Sequence, residues 1–154
     1  MYSFGNEVPR DYIEAANWYR KAAEQGHDGA QSALAGMYDF NKGVVQDHQE
    51  AATWHRKAAE QGNKYSQYRL GVMYQEGKGV PQKRKVAAKW FRLAAEQGYD
   101  DAQFRLGVMY RYGQGVEQDS VEATKWFRLA AEQGHAEAQQ SLKSHSITWK
   151  KQDT

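Results

Sequence analysis

Apolar residues recur along this chain in two alternating patterns, both with helical spacing. In the first, Ala87, Trp90, Phe91, Ala94 and Ala95 fall at i, i+3, i+4, i+7 and i+8, which places them in one stripe on an α-helix. In the second, Ala102, Leu106, Met109 and Tyr110 fall at i, i+4, i+7 and i+8, a narrower stripe on another helix. These are called here the Trp helix and the Leu helix. Gly71 and Gly107, beside the leucine of the second pattern, let a neighbouring helix come close.

Both patterns return every 36 residues. The string Ala-Ala-Glu-Gln-Gly ends at Gly26, Gly62, Gly98 and Gly134, and Trp18, Trp54, Trp90 and Trp126 keep the same step, as do Leu34, Leu70, Leu106 and Leu142 and Tyr2, Tyr38, Tyr74 and Tyr110. A fixed period of this length predicts a solenoid of helical hairpins, in which stacked units bury stripes that one hairpin cannot bury alone. The predicted organisation is one domain over 1–154: a partial unit 1–26, units 27–62, 63–98 and 99–134, and a capping helix with tail 135–154. The last helix is expected over roughly 136–148 and reads as a polar cap, with Lys143 and Ser144 in place of the inner Gly-Val. Met1 aligns with Met37, Met73 and Met109, so the chain opens at the end of a Leu helix and is expected to be a fragment of a longer array.

Asp11/Glu14, Asp47/Glu50 and Asp119/Glu122 predict the starts of Trp helices, with acidic side chains set against unpaired N–H groups. The glycine of Ala-Ala-Glu-Gln-Gly suits a left-handed stop. Between each Leu helix and the next Trp helix lies a short loop, Gly77-Lys78-Gly79-Val80 or Gly113-Gln114-Gly115-Val116, whose valine can plug the helix pair. Asn41 and Glu7 stand where this loop expects glycine, so those two loops are expected to be less regular. The third Trp helix instead starts Lys83-Arg84-Lys85, which loses the cap and opposes the helix dipole.

The series Ala-x-x-x-Leu-Gly-x-x-Tyr, Gly-x-Gly-Val and Ala-x-x-Trp-Phe-x-x-Ala-Ala-x-x-Gly resembles the Sel1-like repeat family, a relative of the tetratricopeptide repeats, over nearly the whole chain. The resemblance implies an all-α fold, a right-handed α-α superhelix of antiparallel helix pairs, and adaptor proteins that bind other proteins. Some family members carry cysteine staples, and a few are associated with β-lactam binding. This chain has no cysteine, which removes disulfides, thiolate zinc sites and a cysteine nucleophile and leaves the compartment open.

Composition narrows the partner. A formal charge of +2 sets up no global field toward nucleic acid, and no run approaches the ~18 apolar residues of a membrane span, so neither nucleic-acid binding nor membrane insertion is expected. The first residues lack the basic head and apolar run of a signal peptide, and the chain reads as soluble. The expected partner is another protein or a peptide held in the concave groove, with neutralisation of a bacterial effector as a special case.

No Gly-x-Ser-x-Gly elbow, P-loop or dinucleotide fingerprint occurs, and no catalytic residue, metal or cofactor is expected. A hydrolase of the β-lactam-associated kind is the alternative. The five histidines read as surface or capping residues, since His27 and His135 lie three units apart. The four repeat tryptophans read as core, whereas Trp149 lies outside the register beside Lys150 and Lys151. Function is expected where Leu helices vary off their stripe. Ser32, Ala33 and Gly36 in one unit become Tyr68, Arg69 and Val72 in the next and Phe104, Arg105 and Val108 in the third, continued by Gln75, Arg111 and Tyr112. Aromatic, Arg and aliphatic side chains together are the composition of an interface; the alternative is that Tyr68 and Phe104 pack between units. Lys83, Arg84 and Lys85 are a second candidate, for an acidic partner segment.

Overall fold

A computed structural model describes the backbone of residues 8–152 and the side chains of residues 11–144. The described residues form eight helices and no strand: α1 (Val8–Glu24), α2 (Asp28–Asp39), α3 (His48–Glu60), α4 (Lys64–Glu76), α5 (Arg84–Glu96), α6 (Asp100–Tyr112), α7 (Ser120–Glu132) and α8 (Ala136–Gln152). Odd-numbered helices are the Trp helices and even-numbered ones the Leu helices, so the all-α reading of helical hairpins holds. The chain divides into two compact units, Met1–Gln82 with α1–α4 and Lys83–Thr154 with α5–α8. In each unit every helix packs on the next one in sequence.

The helix ends follow the local chemistry. Asp47 and Asp119 cap α3 and α7, each accepting two backbone N–H bonds of 3.0 and 3.1 Å. Lys83 holds the same place before α5 and makes no cap bond, as its side chain has no acceptor. Asp11 is a correction. The first helix starts at Val8, so Asp11 lies inside its first turn rather than at its cap. The capping glycines Gly26, Gly62, Gly98 and Gly134 all take φ near 90°, at 94°, 96°, 88° and 91°.

The loops after α2, α4 and α6 share one path. Lys42, Lys78 and Gln114 each donate a backbone N–H back to Met37, Met73 and Met109, at 2.9, 3.0 and 2.9 Å. Asn41 reaches the left-handed region that Gly77 and Gly113 use, with φ of 55° against 72° and 65°, so its loop is regular and the expectation of irregularity fails. Asn is the side chain that tolerates this conformation best. The second loop glycine is required on separate grounds. A methyl group on Gly43, Gly79 or Gly115 would lie 2.3, 2.2 or 2.4 Å from the carbonyl oxygen of Tyr12, His48 or Arg84 in the N-terminal part of the preceding Trp helix. Glu7, whose loop was also expected to be irregular, lies outside the described residues.

Packing between hairpins rests on small residues and one aromatic ring. In the first unit Trp54 of α3 lies against Ala23 of α1 and Leu34 and Ala35 of α2, with Ala30 and Tyr38 alongside. In the second, Ala123, Phe127 and Ala130 of α7 meet Ala138 of α8, with Phe104, Val108 and Leu142 packed against them. A methyl on Gly107 would lie 2.8 Å from the Phe127 ring, which is the close approach its sequence position suggested. Trp54 and Trp126 are buried core, but Trp18 is 66% exposed. Trp54 is covered by the Leu helix before it, and no Leu helix precedes α1 among the described residues.

Glutamines tie these layers together. Gln31, Gln67, Gln103 and Gln139 each donate to the carbonyl of Ala23, Ala59, Ala95 and Ala131, at 3.1 to 3.2 Å. Gln61 and Gln133, from the Ala-Ala-Glu-Gln-Gly string, donate in turn to the side-chain oxygens of Gln31 and Gln103 at 2.8 and 2.9 Å. Arg20, Arg56 and Arg92 donate to the hydroxyls of Tyr38, Tyr74 and Tyr110. Polar groups at the helix ends are thereby satisfied as the helices close. The last helix extends to Gln152, beyond the expected 148, and Lys143 and Ser144 are exposed on it. The side chain of Trp149 lies outside the described residues.

Restoring the missing cap tests this account. Lys83→Asp is expected to raise unfolding stability by about 1 kcal/mol, and Asp119→Ala to lower it by a similar amount. Urea denaturation of both variants measures this; two unshifted midpoints would show that the caps contribute nothing.

Candidate partner-binding site

The last turn of a Leu helix ends on a position that no stripe buries. Phe40, Glu76 and Tyr112 occupy it in successive hairpins. Phe40 is 54% exposed and Tyr112 is 61% exposed, each with an arginine on its ring face. Arg69 of α4 lies 5.4 Å from the Phe40 centroid, and Arg111 lies 5.6 Å from that of Tyr112. In each unit an exposed aromatic ring at this position thus lies against a cation, a contact that orients the ring. The candidate set had Arg69, Arg111 and Tyr112 but not Phe40. Aligning Phe40 with Tyr112 by the repeat would have found it.

The other candidates divide by burial. Tyr68 and Gln75 in the first unit and Arg105 in the second are half-buried. Val72 is only 6% exposed, so it offers a partner almost no surface. Phe104 is half-buried and turned into its own unit, stacked on His135 at 4.8 Å and tilted against Phe127 at 5.7 Å. Val108 packs on the same cluster. Lys83, Arg84 and Lys85 are all exposed at the uncapped start of α5.

A polar cluster lies inside the first unit that spacing did not reveal. Asp39, at the end of α2, is 4% exposed and receives three cationic or imidazole groups. His48 Nδ1 lies 3.3 Å from its Oδ1, while His55 Nε2 at 3.2 Å and Arg69 Nη2 at 3.3 Å share its Oδ2. His55 Nδ1 lies 2.9 Å from Ser66 Oγ of α4. His55 is fully buried, which corrects its reading as a surface or capping residue; the seven-residue spacing from His48 carried no sign of its partners. His135 does cap, its Nδ1 accepting the Ala138 N–H at 3.2 Å.

Burial drives the His55 pKa below its ordinary value, against the hydrogen bond and charge of Asp39, and the nearby Arg69 cation lowers it further. Burial alone would raise the Asp39 carboxyl, but the hydrogen bonds and charges of His55, His48 and Arg69 outweigh it and hold Asp39 below its ordinary value. A neutral His55 therefore donates from Nε2 to a charged Asp39, and Nδ1 accepts from the Ser66 hydroxyl. These are the residue types of an acyl-transfer triad, yet Ser66 and His55 are both 0% exposed, so this hydroxyl meets no substrate. Among the described residues no His, Asp and Glu group is placed to hold a metal ion, and no helix is long and apolar enough to cross a membrane.

The hairpins and their invariant residues define an all-α helical-repeat protein. The chain belongs to the Sel1 repeat family, whose model matches residues 1–27, 29–63, 64–99 and 100–135. Sel1 repeats generally serve as protein–protein interaction scaffolds. No curated protein matches the chain. Among solved structures it is similar to a protective antigen of uropathogenic Escherichia coli with this repeat fold, at 41% identity and a TM-score of 0.82; the match covers 84% of this chain but only 28% of that one. A Sel1 repeat protein of Oxalobacter formigenes is 36% identical with a TM-score of 0.77, covering 88% of this chain and 98% of that one. Cysteine-rich protein B of Helicobacter pylori is 26% identical with a TM-score of 0.68, over 87% and 96% of the two chains.

The packing of Phe104 and the exposure of Tyr112 predict opposite outcomes. Phe104→Ala is expected to lower stability by about 2 kcal/mol through lost aromatic burial. Tyr112→Ala is expected to stay within about 0.5 kcal/mol of the parent. Thermal and urea unfolding of the two variants compare them directly.

Proposed function

We propose that this protein is a scaffold that captures another protein or a peptide through arginine-backed aromatic rings at the ends of its Leu helices. One observation carries this reading: Phe40 and Tyr112 hold the same repeat position, are more than half exposed, and each lies against an arginine. Large exposed rings add nothing to the stability of the unit that bears them, whereas Tyr and Arg are enriched among residues that dominate binding energy. The cation restrains the ring before a partner arrives, which reduces the ordering cost of binding.

Arg105 and Tyr68 extend the contact surface within their own units. Lys83, Arg84 and Lys85 add a site for an acidic segment of the partner, since three cations beside the unpaired N–H groups of α5 favour an anion there. Capture that neutralises a toxic effector is a special case of the same binding. A hydrolytic role has less support, because the Ser66–His55–Asp39 chain is closed to substrate.

A photo-crosslinking residue at position 112 identifies the partner in extract of the source cells. Phe40→Ala and Tyr112→Ala are then expected to weaken purified partner binding by about tenfold or more each, the scale of a hot-spot loss. Equal affinity of both variants and the parent would overturn the proposal. Reversal of Lys83, Arg84 and Lys85 to Glu is expected to weaken binding at low salt and to flatten its salt dependence. An unchanged salt dependence would remove the basic patch from the interface.

A further inference from the structure

We propose that the buried Asp39–His55–Ser66 chain is an acid-sensitive latch, which holds the first unit closed at neutral pH and loosens it as pH falls. It joins three elements through side chains alone: Asp39 ends α2, His55 lies within α3, and Ser66 lies in the first turn of α4, where its N–H is capped by Asn63 Oδ1 at 3.0 Å. The proposal stands on this geometry and on the repeat, and is independent of the partner-binding reading.

The repeat supplies an internal control. The positions of His55 and Ser66 are filled in the second unit by Phe91 and Ala102 and again by Phe127 and Ala138, all buried and none titratable. Asp39 is replaced there by Arg111, and His48 by Arg84 and Ser120. A polar pair therefore stands in the first unit where apolar pairs stand in the second. Its hydrogen bonds are complete with neutral His55, and the change of protonation is what they cannot absorb.

Protonation of His55 takes a proton from solvent and places it on Nδ1, where the Ser66 hydroxyl donates when the ring is neutral. The Ser66 hydrogen must then turn to another acceptor in a site closed to water. The new cation gains from Asp39, but burial outweighs that gain. Asp39 already receives Arg69 on the same Oδ2 and His48 on Oδ1. The charged groups facing His55 are Asp39 from α2 and Arg69 from α4; His48 approaches the shared carboxylate from its own helix, and the Tyr65 ring of α4 lies edge-on at 6.1 Å.

The sign follows from linkage. An unfolded histidine titrates near about 6.5, and burial holds folded His55 below its ordinary value, so below that pH the open state binds the extra proton. The stabilisation is complete above the unfolded value and is lost as pH falls toward the folded one. Asp39 acts in the same direction, but only at more acid pH, below the ordinary carboxylate value. A window between about pH 7 and 5 therefore separates His55 from Asp39.

Amide exchange across that window, corrected for intrinsic rates, tests the latch. Opening of α2–α4 is expected to rise as pH falls, approaching about tenfold per pH unit for one proton, while α6 and α7 change little. His55→Phe with Ser66→Ala, the pair found in the second unit, is expected to abolish the difference. An equal pH response in both units, or an unchanged response in the double variant, would overturn the latch. The parent also decides the matter without any variant, by NMR titration of the His55 ring. A midpoint below about 6.5 supports the latch, and one at or above it overturns it.

Discussion

Neighbouring helices in this chain meet along alanines, and that close contact governs the rest. Ala51, Ala58, Ala87 and Ala94 are completely buried, because a methyl group is the largest side chain that lets two helix backbones lie so near each other. Carbonyls near the ends of the Trp helices are then shut away from water. The glutamine ladder answers this need, with each Leu helix sending one amide to the Ala23, Ala59, Ala95 or Ala131 carbonyl. Each of these carbonyls also accepts the N–H of the capping glycine that follows it, at 3.0 Å, so loss of a ladder glutamine removes one of two bonds to it. The loop glycines belong to the same constraint, since the chain passes directly over the N-terminal part of the preceding Trp helix.

Once the scaffold is satisfied by a small set of repeated residues, the remaining positions are free to differ, and they differ in two ways. Inside the first unit the repeat tolerates a His–Ser pair where the hairpins of the second unit use Phe–Ala. Protonation of that buried pair is a stress on the first unit. On the surface, the residue at this repeat position changes from Phe40, just after α2, to Glu76 and Tyr112, which end α4 and α6, without disturbing the core. Arg69 connects the two themes, lying on the exposed Phe40 ring while its guanidinium reaches the buried Asp39.

Much of the fold was legible in the sequence because helical spacing and the 36-residue step report on burial one residue at a time. The Asp47 and Asp119 caps, the missing cap at Lys83 and the left-handed glycines are likewise local, set by interactions within a turn. Trp18 escaped the same logic. Its stripe matches that of Trp54, but burial needs a covering helix, and a pattern along one helix does not say whether the cover is present. Val72 is buried and Phe104 packs within its own unit, because a position off the stripe of its own helix can still face the neighbouring one.

By itself, then, the sequence determined the all-α repeat, its hairpin units, the ends of most helices and the family, since each depends on spacing within a few residues or on the repeat. Only the tertiary structure decided which candidate side chains stay at the surface. It alone brought Asp39, His55 and Ser66 together and set Arg69 against Phe40. These contacts join residues 11 to 30 positions apart on different helices, where distance in space depends on how the helices pack and leaves no periodic trace along the chain.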